Sequence, residues 1–177
     1  MKAEVLYQVQ DGVATITMNR PQSLNSMNPG LIDGLHEALT KAAEDTAVRC
    51  LVLTGAGRAF CAGGDLGYLN GIESLAAKRS FINRVGDVAR RITMLPKPVI
   101  AKVNGVTAGA GVNLMLACDL VYAVDTARFG ESFAKVGLIP DCGGLFFLPR
   151  TVGTLKAKEL MFTADLISAA EAEKLGM

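Results

Sequence analysis

Tryptophan is absent from these 177 residues, histidine occurs once, at His36, and neither sign of charge prevails: 18 lysines and arginines stand against 17 aspartates and glutamates. Each shortage removes a class of function. A net charge of +1 gives no reason to expect nucleic acid or a membrane surface as partner, so any anionic ligand has to be held locally. One histidine leaves a His/Cys metal site almost without ligands, and Ser/His/Asp or Cys/His catalysis would hang on that single residue. His36 lies in a mixed polar and apolar helical stretch and is expected to be structural. The four cysteines, Cys50, Cys61, Cys118 and Cys142, form no CxxC pair. The opening MKAEVLYQVQDG lacks the apolar core of a signal peptide, so four free thiols in a reducing cytoplasm are expected. No apolar run approaches the ~20 residues of a membrane-spanning helix, and no internal repeat is evident.

What is present suits one α/β domain spanning 1–177, since half of the residues are hydrophobic and the length allows a sizeable core. Two β-rich runs, 4–10 and 13–18, flank Asp11-Gly12, a strong hairpin signal. Leu31, Leu35 and Leu39 recur at helical spacing within 29–44, with Asn28 ready to cap and Pro29 at the first turn. Strands are expected at 50–54, 99–103 and 119–124, with helices at about 72–94 and 113–117 between them. That alternation predicts right-handed crossovers.

Two loops rich in small residues follow strands: Cys61-Ala62-Gly63-Gly64-Asp65, and Gly105 to Gly111. Glycines let the backbone turn its N–H groups toward a ligand, and a helix start adds its dipole. Each loop alone reads first as a tight turn. Together they suit an oxyanion hole for a carbonyl oxygen. A dinucleotide fingerprint fails, because Leu114 stands where the third glycine of Gly109-Ala110-Gly111 would belong.

These motifs, together with Asn19-Arg20-Pro21, Leu24-Asn25-Ser26-Met27, Lys97 to Gly105, Ala117 to Leu120 and Phe129 to Gly144, closely resemble the crotonase, or enoyl-CoA hydratase/isomerase, superfamily. The resemblance implies a spiral of ββα units with helices packed outside, binding an acyl-CoA thioester and assembling as a homotrimer or a dimer of trimers. It implies no permanently bound cofactor, no metal, and a coenzyme A thioester as substrate. By motif matching, the backbone N–H groups of Gly64 and Ala110 form the oxyanion hole. Arg20, Asn25, Ser26, Ala62, Gly63, Asp65 and Leu66 fall in the segments that hold coenzyme A.

The two glutamates of the hydratases would fall at Asn113 and Phe133, which are expected to line the acyl pocket and cannot transfer a proton near neutral pH. Glu131, two residues before Phe133, would share its face on a strand, displaced along the chain. Asp141 is then the one carboxylate at a position where the superfamily places catalytic acids. The run Val136 to Gly144 resembles ring-1,2-epoxyphenylacetyl-CoA isomerases, whose base is the aspartate of the same IPDCGG string. Enoyl-CoA isomerases put a glutamate there, and chlorobenzoyl-CoA dehalogenases a nucleophilic aspartate beside a tryptophan this chain lacks. Apolar neighbours should raise the Asp141 pKa. As a plain structural residue, Asp141 would instead cap a helix starting near Gly143.

The expected activity is isomerisation of an acyl-CoA, shifting a double bond or isomerising an epoxide or ring acyl-CoA, through a thioester enolate stabilised by the oxyanion hole, with Asp141 as catalytic residue. The alternatives are a hydratase-type lyase and a noncatalytic acyl-CoA-binding scaffold. Chains of this superfamily continue past the 168–176 helix, so the C-terminal helical region is expected to be missing here, leaving exposed apolar surface.

Overall fold

The computed structural model describes residues 3–177. Strands β1 (Val5–Gln10) and β2 (Val13–Met18) pair antiparallel about Asp11-Gly12, and both turn residues have positive φ, as a tight hairpin turn matched to strand twist requires. Helix α1 (Pro29–Glu44) starts where the side chain of Asn28 accepts the Leu31 N–H at 2.8 Å. Its apolar stripe, Leu31, Leu35 and Leu39 included, is buried, worth about 1.5–3 kcal/mol for each large side chain.

From β3 (Cys50–Gly55) onward the chain repeats one plan. β3 joins the β1–β2 sheet, β4 (Ala59–Cys61) enters a second sheet, and α2 (Leu66–Gly71) and α3 (Leu75–Thr93) return. β5 (Val99–Val103), β6 (Val106–Ala108) and α4 (Ala110–Leu116) repeat it, as do β7 (Leu120–Ala123), β8 (Arg128–Gly130) and α5 (Gly144–Val152). The first sheet has order β1-β2-β3-β5-β7, parallel beyond the hairpin. The second runs β4-β6-β8 in parallel and is closed by an antiparallel β9 (Ile167–Ser168), after α6 (Thr154–Thr163) and before α7 (Ala169–Lys174). This is the expected spiral of ββα units, and buried residues of both sheets and the helices join in one apolar cluster.

Three elements differ from the sequence reading. The helix expected from 72 starts at Leu75, where Ser74 caps it, and the separate α2 precedes it with Asp65 as its cap. Gly105 to Gly111 is not all turn: β6 is a three-residue strand hidden among glycines. Phe133 lies on a 3-10 turn, Ser132–Val136, and not on a strand, so Glu131 and Phe133 are not held to one face.

Candidate active site

The second sheet positions the two glycine loops. β4 and β6 are parallel neighbours, so the segments leaving their C-terminal ends, Ala62 to Gly64 and Gly109 to Ala110, lie side by side. Gly63 (φ +92°) and Gly109 (φ +52°) adopt the left-handed conformation that suits glycine. A Cβ on Gly63 would stand 3.0 Å from the Ala108 carbonyl oxygen and 3.5 Å from the Ala110 nitrogen, which measures how closely the loops approach. Among the described residues, neither the Gly64 nor the Ala110 N–H donates to a protein acceptor. Ala110 opens α4, where a first-turn N–H has no partner within the helix. Two free donors on converging loops are what a carbonyl oxygen acquiring negative charge needs.

Gly63, Gly64, Gly109 and Ala110 border a cavity of about 110 Å³. Phe133, Leu69, Phe81, Ile82 and Val85 supply its apolar walls, and Tyr68 packs on Phe81 with ring centroids 5.0 Å apart. Among the described residues only two polar side chains line it, Ser132 and Asp141.

Asp141 does not cap a helix through its side chain. Helix α5 is preceded by Gly143 with no side-chain cap, and the Gly144 N–H donates to the Asp141 backbone oxygen at 2.8 Å. Cys142 and Gly143 both have positive φ, and this double turn separates the Asp141 side chain from the helix start. Its Oδ1 is buried without a partner. Burial pushes the carboxyl up to about 6, against a small lowering by its own backbone N–H.

Asn113 is a correction to the sequence reading: it is fully buried and does not border the cavity. Its Nδ2 donates to the Asp141 carbonyl oxygen at 2.9 Å, and its amide packs where any Cβ on Gly144 would clash. Glu131 is the second correction, because Asp141 is not the only carboxyl in this corner. Glu131 is 2% exposed and borders a separate void of about 10 Å³. Burial pushes its pKa up to about 8; the adjacent Asn113 side chain lowers it in part and the Asp141 charge raises it further.

At the rim, Arg20 Nη1 donates to Asp65 Oδ2 at 3.0 Å and also to the Ser26 carbonyl oxygen, while its Nε faces Glu4 Oε1 at 3.4 Å. Asp65 also accepts the Tyr68 N–H at the start of α2. The Asn25 side chain cannot meet a ligand directly as expected of it: it is fully buried, accepts the Arg20 N–H and donates to the carbonyl oxygens of Ala56 and Ala59. It brackets the loops instead. Ala62 and the exposed Leu66 remain at the cavity. His36 lies between α1 and α3, held by Arg91 and the Arg84 carbonyl oxygen. No group of three or more His, Cys, Asp or Glu that could hold a metal occurs among the described residues, and no helix is long and apolar enough to cross a membrane.

The enoyl-CoA hydratase/isomerase family model matches residues 8–177. The chain belongs to the enoyl-CoA hydratase/isomerase family. Within that family it is 45% identical to a 1,2-epoxyphenylacetyl-CoA isomerase of Escherichia coli K12 over 98% of this chain and 67% of the relative. It is 40% identical to a probable enoyl-CoA hydratase of Rhodobacter capsulatus, over 98% of this chain and 66% of that protein. The crystal structure of an enoyl-CoA hydratase from Mycobacterium smegmatis superposes with a TM-score of 0.94 at 39% identity, covering 99% of this chain and 68% of the other. The chain therefore spans about two thirds of the length of the curated relatives it matches.

For this family member, motif reading missed the α3 wall and Ser132. The signal for the wall was present: Phe81, Val85, Val88 and Ile92 form an apolar stripe at helical spacing, buried in the fold. Nothing in the sequence around Ser132 marked it, because the 3-10 turn that presents it has no repeating pattern.

Proposed function

We propose that this chain carries an acyl-CoA isomerase site. The N–H groups of Gly64 and Ala110 receive the thioester oxygen, Asp141 removes a proton from C2 to give an enolate, and the same carboxyl returns a proton at C4. The carbonyl oxygen gains charge only as the C–H bond breaks, so donors fixed in advance lower the barrier more than they tighten ground-state binding. One observation carries the reading: among the described residues, the cavity bordered by both free N–H groups has a single acidic side chain, Asp141, with its pKa raised to about 6. Such a group is mostly ionised at neutral pH yet basic enough to accept a proton. Water addition calls for an acid and a base at the same water; Phe133 offers neither, and Asn113 and Glu131 lie behind the cavity wall.

Coenzyme A would run along the rim formed by Ala62 to Leu66 and the Arg20–Ser26 segment, with Arg20 and Asp65 fixing the loop shape through their ion pair. Assembly as a trimer or dimer of trimers is supported by large exposed apolar side chains on 138–166, among them Ile139, Leu155 and Phe162. The test is turnover of a 3-enoyl-CoA and of 1,2-epoxyphenylacetyl-CoA by Asp141→Asn and Asp141→Ala. Loss of turnover in both variants is expected; rates equal to wild type would refute the assignment.

A further inference from the structure

The corner behind the cavity has more acceptors than donors. Both Glu131 carboxylate oxygens, Asn113 Oδ1 and Asp141 Oδ1 are buried and unpartnered. Asn113 gives one of its two Nδ2 hydrogens to the Asp141 carbonyl oxygen; the other faces Glu131 and offsets part of the rise in its pKa, which still leaves one Glu131 oxygen and Asn113 Oδ1 as two acceptors without a hydrogen between them. Turning the amide over would set Oδ1 against the Asp141 carbonyl, oxygen to oxygen. An ionised Glu131 would in addition lie within range of the Asp141 charge, and two like charges in one buried corner are costly. The void beside Glu131, about 10 Å³, is at or below the smallest space that holds a water, which would also need two to four polar partners. A single proton balances the inventory, since a carboxylic acid has one donor and Asn113 Oδ1 is the open acceptor beside it.

We propose that Glu131 is held as the neutral acid and is a positioning residue: its O–H donates to Asn113 Oδ1, and Asn113 in turn fixes the Asp141 backbone, aiming the Asp141 carboxylate into the cavity. The relay also ties that carboxylate to the oxyanion donor, because Asn113 and Ala110 share one turn of α4. Its contribution to turnover rests on the reading of Asp141 as the base; the protonation of Glu131 does not.

The titratable groups facing Glu131 are Asp141 and Cys142. Burial holds the Cys142 thiol neutral, well above its ordinary pKa, and the other side chains around the void carry no charge. As pH rises through about 8, the proton leaves Glu131 and the relay opens.

Full-length wild type, Glu131→Gln and Glu131→Met are compared. The first measurement needs no substrate: an infrared difference titration of wild type against Glu131→Gln. It should show a protonated carboxyl band at neutral pH that disappears near about 8; the absence of such a band at neutral pH overturns the inference. In turnover, Gln still donates to Asn113 Oδ1, so kcat should stay within about threefold of wild type while the loss of rate above pH ~8 vanishes. Met fills similar space without a donor, so kcat should fall about tenfold or more with KM within about threefold. Met as active as Gln overturns the positioning role. If wild type proves not to isomerise, the isomerase reading alone falls, and the infrared result still decides the state of Glu131.

Discussion

The two sides of the cavity are built on opposite principles. On one side, Gly63-Gly64 and Gly109-Ala110 present backbone N–H groups, and no side chain there takes part in the proposed chemistry. On the other, Asp141 presents a carboxylate whose properties come from what surrounds it: apolar walls in front, and Asn113 and Glu131 behind. The backbone side should tolerate changes of side chain but not of φ. The carboxylate side should tolerate backbone adjustment better than any change in its polar atoms. The same cavity therefore fails in two distinguishable ways.

Asp141→Asn is the sharpest break on the carboxylate side. It keeps the shape and removes the proposed base, so kcat should fall roughly hundredfold to ten-thousandfold. Thermal unfolding should be unchanged or slightly later, because the side chain caps nothing and its charge is disfavoured by burial. Gly63→Ala is the matching break on the backbone side. It forces a Cβ onto φ +92° and to 3.0 Å from the Ala108 carbonyl oxygen. About hundredfold slower turnover and a loss of about 1–3 kcal/mol in urea unfolding are expected.

Acid should mimic Asp141→Asn reversibly. Below about 6 the Asp141 carboxylate is protonated, and with it as the proposed base a kcat profile should drop close to tenfold per pH unit. Stability should move the other way. Both carboxyls have folded pKa values above their ordinary ones, at about 6 for Asp141 and about 8 for Glu131. Folding is thus favoured at low pH, where both are neutral, and weakens as pH rises from the ordinary carboxyl range through these values.

Phe133→Ala enlarges the apolar wall without touching either polar device. About 3 kcal/mol of stability should be lost in unfolding experiments, and kcat/KM should shift in favour of bulkier acyl groups. Ala110→Gly should do least. It keeps the N–H, so kcat should remain within about threefold, at a cost of about 0.5–1 kcal/mol for glycine in the helix.

The difference between the two sides also explains what could be read in the sequence. The backbone side is written locally: Gly63-Gly64 and Gly109-Ala110 are contiguous, and a glycine-rich loop after a strand has a direct physical meaning. The hairpin at Asp11-Gly12 and the α1 cap at Asn28 were legible for the same reason. The carboxylate side depends on contacts across the chain. Asn113 and Asp141 are brought together only when α4 packs on α5, so the sequence placed Asn113 in the pocket and left Glu131 aside. β6 was hidden because three residues between glycines are too few to show alternation.

Hydrogen–deuterium exchange into a bound, nonreacting saturated acyl-CoA requires only a base beside the polarised carbonyl. In deuterated buffer, wild type should exchange the C2 protons, and Asp141→Asn should lose that exchange while still binding the thioester. Exchange at the wild-type rate in Asp141→Asn, or none in wild type with the thioester bound, would contradict the assignment of Asp141 as the base serving the Gly64 and Ala110 oxyanion hole.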